Sequence, residues 1–155
     1  MYKRQVQKGK VYFIGSPLIE LGHLSLEKQL EYLGKIKDKY AGSEIFYFAH
    51  RRERQENLEK FSFFGKVIRS DVPFEERMEK ENELPEVIVS YLSSVLINLT
   101  PVYPNISFYY FPLMNEDISS PAYLENYLIV KKGFEKISEF NFNRFPVREH
   151  MIKEK

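Results

Sequence analysis

An α/β fold, a parallel sheet with flanking helices, is predicted by three features of this sequence. The stretch Glu44 to Glu53, EIFYFAHRRE, opens with an apolar and aromatic run too short for a helix. Gly42-Ser43 bounds it on one side and a basic cluster on the other, as expected of a strand buried on both faces in a parallel sheet. Similar short runs stand at 10–14, KVYFI, and at 87–91, VIVSY, each followed at once by small or polar residues. Between the first two runs, Leu26, Leu30, Leu33, Ile36 and Tyr40 recur at helical spacing behind Ser25, a good N-cap. Strand, helix and strand in that order make a βαβ unit.

The remaining elements follow in turn. The first strand ends at Gly15-Ser16-Pro17, and SPLIELGH reads as a loop with Pro17 and Gly22 as breakers. The outer face of the first helix carries Glu27, Lys28, Glu31, Lys35, Lys37 and Asp38, and Gly42 stops it. A short helix is expected over Asn57 to Phe61 and a third strand over Lys66 to Arg69. A charged surface helix is expected from Pro73 to Asn82, with proline in its first turn. VIVSY is the fourth strand, followed by Ser93-Ser94 and a helical VLINL. NISFYYF, 105–111, isolated by Pro101, Pro104 and Pro112, is the fifth. Ser119-Ser120-Pro121 opens a helix with Tyr123, Tyr127 and Val130 on one face. In the tail Phe140, Phe142 and Phe145 alternate loosely, and Pro146 argues against a central strand. The whole is a Rossmann-like sheet in one domain spanning residues 1–155.

Composition sets the outer bounds. With 155 residues, 43% hydrophobic and 29% charged, the chain is globular. Its 23 basic and 22 acidic residues give a net charge of +1, so no global field draws it to nucleic acid or a membrane. Of the many aromatics, the NISFYYF run has no basic neighbour to make a base-stacking platform, and no nucleic-acid partner is expected. There is no cysteine, which removes disulfides, thiol catalysis and thiolate metal sites. The first ten residues lack the apolar core of a secretory signal. The longest apolar stretch, Val87 to Leu99, is interrupted by serines and too short to span a bilayer. A soluble, cytoplasmic protein is expected.

In a parallel sheet the carboxyl ends of the strands share one edge, where ligands bind. Ser16 and Glu20 follow the first strand, His50, Arg51 and Arg52 the second, and Ser93 and Ser94 the fourth. The basic cluster is either an anion site or a solvated turn, and the serine pair either meets phosphate or caps its own helix. Together they form an anion-handling set in which Glu20 serves as general base and His50 as general acid or phosphate partner. No P-loop, GxGxxG or HExxH pattern is present, and His23, His50 and His150 have no ligand spacing, so no metal site is expected.

The order GSPLIELG, YFAHRRE, a strand with PFE, and LPEVIVSYLSSVLINL resembles the bacterial lipooligosaccharide sialyltransferases of glycosyltransferase family 52, and the related polysialyltransferases. The resemblance covers roughly residues 10 to 100. It implies one half, the C-terminal nucleotide-binding one, of a GT-B glycosyltransferase, with the acceptor-binding half absent. It implies inverting transfer of sialic acid from CMP-sialic acid to a surface glycan acceptor, with no metal required. Carried over, Glu20 and Gly22 match the acidic motif carrying the base, His50 matches the motif histidine, and Ser93 and Ser94 match the serine pair at the nucleotide phosphate. Ser16, Arg51 and Arg52 join the phosphate-binding set, and Pro85 to Val87 lies near base or ribose by analogy. Leu21 stands where a second acidic residue is usual, and Arg51 where proline follows the histidine. The resemblance further implies peripheral contact with the inner membrane. Apolar surface left by a missing half predicts a homodimer. Two alternatives remain: a non-catalytic nucleotide-binding or assembly module, and a capsule-synthesis transferase with another nucleotide donor.

Overall fold

A computed structural model describes residues 4–91, 93–140 and 147–149. Strands β1 (Val6–Ile14), β2 (Glu44–Phe48), β3 (Lys66–Ile68), β4 (Leu84–Ser90), β5 (Ser107–Tyr110) and β6 (Val147–Glu149) form a single sheet. Its order is β3-β2-β1-β4-β5-β6, and every neighbouring pair is parallel. Helices α1 (Leu26–Lys39), α2 (Gln55–Leu58), α3 (Phe74–Lys80), α4 (Ser94–Leu99) and α5 (Pro121–Phe140) connect the strands. This is the doubly wound strand order, whose direction of winding reverses between β1 and β4. The tail strand β6 follows Pro146 and lies at the sheet edge, where a preceding proline is tolerated. Phe142 and Phe145 lie outside the described residues.

Both sheet faces are covered, as a parallel sheet requires. Successive strand residues point to opposite faces. Val11 and Phe13 of β1 join Leu33 and Ile36 of α1, Leu58 of α2 and Tyr127 of α5 in one core. Tyr12 and Ile14 join Met78 of α3, Leu96 and Leu99 of α4 and Phe134 of α5 in the other. Tyrosine hydroxyls within the cores reach polar partners, which removes the penalty of burying them. Tyr91 donates to Gln29 at 2.8 Å, and Tyr32 donates to Asp117 at 2.6 Å while accepting from the Met114 N–H at 2.7 Å.

Several elements depart from expectation in bounds or burial. β1 starts at Val6 and β4 at Leu84, so Pro85 sits in a central strand opposite Gln7. The β1–β4 register shifts between Gln7 and Val11, around Gly9 at φ 78°, and the Gly9 N–H donates to the Glu86 side chain at 2.9 Å. That bulge is where a strand accepts a residue without an N–H. The helix expected to be all surface, α3, buries Met78 completely. On α5 the core positions are Tyr127 and Phe134, while Val130 is exposed. Among the described residues no helix is long and apolar enough to cross a membrane.

The Ser25 side chain caps α1, accepting from the Lys28 N–H at 3.1 Å. Gly34 lies inside this helix, and a Cβ added there would meet nothing within 4 Å. Gly34→Ala is therefore expected to stabilise the fold by roughly 0.5–1 kcal/mol, the helix-propensity difference. Chemical denaturation checks it, and a midpoint that fails to rise would contradict it.

Candidate functional site

The carboxyl ends of β1, β2 and β3 open into a cleft of about 430 Å³. Ile14 ends β1 and Gly15 follows it, Phe48 ends β2 and Ala49 to Arg51 follow it, and Ile68 ends β3. The loop from Ser70 to Pro73 and the first turns of α3 form one wall, and Val95 of α4 closes the side towards β4. Its size falls in the range of small-molecule sites. Apolar side chains make its floor, and charges of both signs stand around it: Arg51 and Arg77 against Asp71 and Glu75.

His50 to Glu53 form a tight turn, in which the Glu53 N–H donates to the His50 carbonyl at 2.9 Å. The His50 Nδ1 accepts from the Arg52 N–H at 3.1 Å, so the imidazole is held with its proton on Nε2. Burial, and then the Arg51 and Arg52 guanidiniums, lower its pKa, against the opposing charge of Glu20. At neutral pH His50 is thus a neutral hydrogen-bond donor. Arg51 lines the cleft beside it, whereas Arg52, also exposed, is not among the lining residues.

Arg77 is the cation that sequence pattern missed. Its guanidinium lies over the Phe48 ring, 5.2 Å from the centroid, and its buried Nε has no hydrogen-bond partner among the described residues. A buried N–H without an acceptor is costly, and Arg77 also lines the cleft, where its charge favours an anion. The available signal was the spacing of Phe74 and Met78, which turns one side of α3 towards the sheet and carries Arg77 with it.

Glu53 was the other omission. Only 4% of it is exposed. Its carboxyl accepts from the Tyr47 hydroxyl at 2.6 Å and from the His50 N–H at 2.9 Å. No cation forms an ion pair with it among the described residues; Arg69 donates instead to its backbone carbonyl and to Gln55. Burial pushes its pKa up to about 7, against the two hydrogen bonds and Arg69, which lower it. In sequence it is one more charge in HRRE; only the packing of β1 against the turn reveals it.

The other candidates are placed differently. The Glu20 carboxylate accepts from the Arg54 N–H and the Asn57 side chain, both at 2.9 Å, so it serves the first turn of α2. Ser93 is the N-cap of α4, accepting from the Val95 N–H at 3.3 Å, and Ser94 begins that helix. Ser16, Glu20, Arg52, Ser93 and Ser94 are not among the residues lining the cleft; His50 and Arg51 are. Pro85 to Val87 lies inside β4, well short of its end at Ser90. Strand rise puts Pro85 roughly 16 Å from that edge, so the analogy with a base or ribose contact does not fit this geometry.

No protein family, curated protein or solved structure matches this chain. Among the described residues no cluster of three histidine or acidic side chains is arranged to hold a metal ion. The doubly wound sheet states where a ligand belongs and leaves its chemistry to the side chains.

Proposed function

We propose that this chain binds a nucleotide sugar in the cleft beyond β1, β2 and β3, with CMP-sialic acid as the donor that the sequence resemblance favours. The observation that carries the reading is Arg77: a guanidinium stacked over the Phe48 ring and lining the cleft together with Arg51 and His50. A bare phosphate would leave the rest of the cleft unused. A nucleotide sugar uses all of it: phosphate at the two arginines and the His50 Nε2–H, hydroxyls donating to Asp71 and Glu75, and a flat base near Phe48 and Phe74. In this reading the chain is the donor half of a GT-B sialyltransferase, and an acceptor is oriented by a second domain.

One observation favours the non-catalytic module as a second reading. Glu20, the carboxylate in the position of a base, is committed to two hydrogen bonds on α2. Under this reading CMP-sialic acid binds but is neither hydrolysed nor transferred.

Calorimetric titration with CMP, UDP and GDP tests the site. CMP is expected to bind in preference to the others. Arg77→Ala should weaken it by about tenfold or more, the range for a charge-assisted hydrogen bond, and His50→Ala by severalfold. Unchanged CMP affinity in both variants would dismiss the assignment, and a preference for UDP or GDP would move it to another donor.

A further inference from the structure

Glu53 lies on the other side of the β1 chain from the proposed ligand. A Cβ built on Gly15, which lines the cleft, would sit 2.3 Å from the Glu53 Oε1. The carboxyl therefore touches the strip of backbone that separates it from the cleft. It also holds the His50–Glu53 turn from below, through the His50 N–H and, by way of Tyr47, through the core end of β2. The same turn presents His50 and Arg51 to the cleft.

We infer that Glu53 is the positioning residue of this site: as a neutral carboxylic acid it fastens the turn carrying His50 and Arg51, and its ionisation lowers the affinity of the cleft for anions. The inference rests on the nucleotide reading for the ligand, and on the free protein for the turn. Its basis is geometric. An unpaired carboxylate in so buried a place is disfavoured, and a negative charge one backbone thickness from a bound phosphate repels it. Among the groups facing Glu53, the hydrogen bonds from Tyr47 and His50 and the charge of Arg69 favour ionisation, and burial outweighs them. Tyr47 from β2 and Tyr91 after β4 are pushed by burial well above the ordinary tyrosine range, so both stay neutral. Arg69 after β3 pulls the Glu53 pKa down, and Glu20 from the loop after β1 adds negative charge that favours protonation of Glu53. His50 is held neutral near pH 7 by burial and its arginine neighbours. Ligand binding is then linked to proton retention at Glu53.

Two measurements on the whole chain test this, with CMP as the probe. In the free protein, the Glu53 carboxyl carbon followed by NMR from pH 4 to 9 should titrate near pH 7, with the His50 and Arg51 amides shifting at the same midpoint. Glu53→Gln keeps an acceptor for the His50 N–H and a polar partner for Tyr47, and these amide shifts should vanish in it. In calorimetry the Gln variant should match the wild type at pH 6 and bind roughly fivefold tighter at pH 8.5, a modest like-charge effect at this separation. Comparing the proteins at each pH cancels the titration of CMP itself. A Glu53 midpoint near 4.5, or an affinity ratio that does not change with pH, overturns the inference. Absence of CMP binding at every pH removes the nucleotide reading, and the free-protein titration then decides the role of Glu53 in the turn.

Discussion

Replacing Gly15 by alanine is expected to cost about 3 to 5 kcal/mol of stability, the sum of overpacking and of broken buried hydrogen bonds. The new Cβ would lie 2.3 Å from Glu53 Oε1 and 2.7 Å from both Cε1 and the hydroxyl oxygen of Tyr47. Neither neighbour has room to retreat. The Tyr47 ring is fully buried, stacked 5.2 Å from Phe13 and tilted 5.2 Å from Phe61. Moving Glu53 breaks its bonds to Tyr47 and to the His50 N–H. The Gly15 N–H itself donates to the Phe48 carbonyl at 2.8 Å, so the backbone is pinned as well. Urea unfolding measures the loss, and a cost below about 1 kcal/mol would show the contact to be soft. The two sites should also be coupled. In a Glu53→Ala background the same change should cost less, because one of the clashing atoms is gone.

The second large effect is a dependence of stability on pH that a single carboxyl produces. Glu53 holds its proton in the fold up to about pH 7, while the unfolded chain releases it at the ordinary value of 4.5. Between those values the folded state binds more protons, so stability falls as pH rises. The contribution is fully present below pH 4.5 and lost as pH passes through about 7. At 1.36 kcal/mol for each pH unit of difference, the loss is about 3 kcal/mol. Against Glu53→Gln, which has no proton to lose, the wild type should be comparable at pH 4.5 and less stable by about 3 kcal/mol at pH 8.5. Denaturation of both proteins across this range gives the difference directly. A gap that stays constant with pH would mean that Glu53 is ionised in the fold already.

Much of the architecture was legible in short-range pattern. Runs such as KVYFI, EIFYF and VIVSY are apolar or aromatic at four of five positions, which suits strands covered on both faces, and each contributes a strand to the parallel sheet. The spacing from Leu26 to Tyr40 specified α1, and Leu33 and Ile36 are fully buried on it. Once the strands are parallel their ends share an edge, which is why residues that directly follow a strand, such as His50 and Arg51, line the cleft there. Pattern failed where a local rule was overridden from a distance. The fourth strand, expected from Val87, starts at Leu84, because the bulge on the neighbouring strand admits Pro85 into β4.

Polar residues were the less legible part. A glutamate, a serine and an arginine carry the same local signal whether they face water, cap a helix or line a cleft. What separates them is the element packed over each one. Glu20 went to α2 because the chain returns there after β2. Glu53 became a buried acid because β1 brings Gly15, which has no side chain, against it. Arg77 faces the cleft because α3 must bury Met78. Hydrophobic period acts within a few residues and so writes strands and helices into the chain one at a time. The fate of a charge depends on burial, and burial is a property of contacts between segments far apart in sequence.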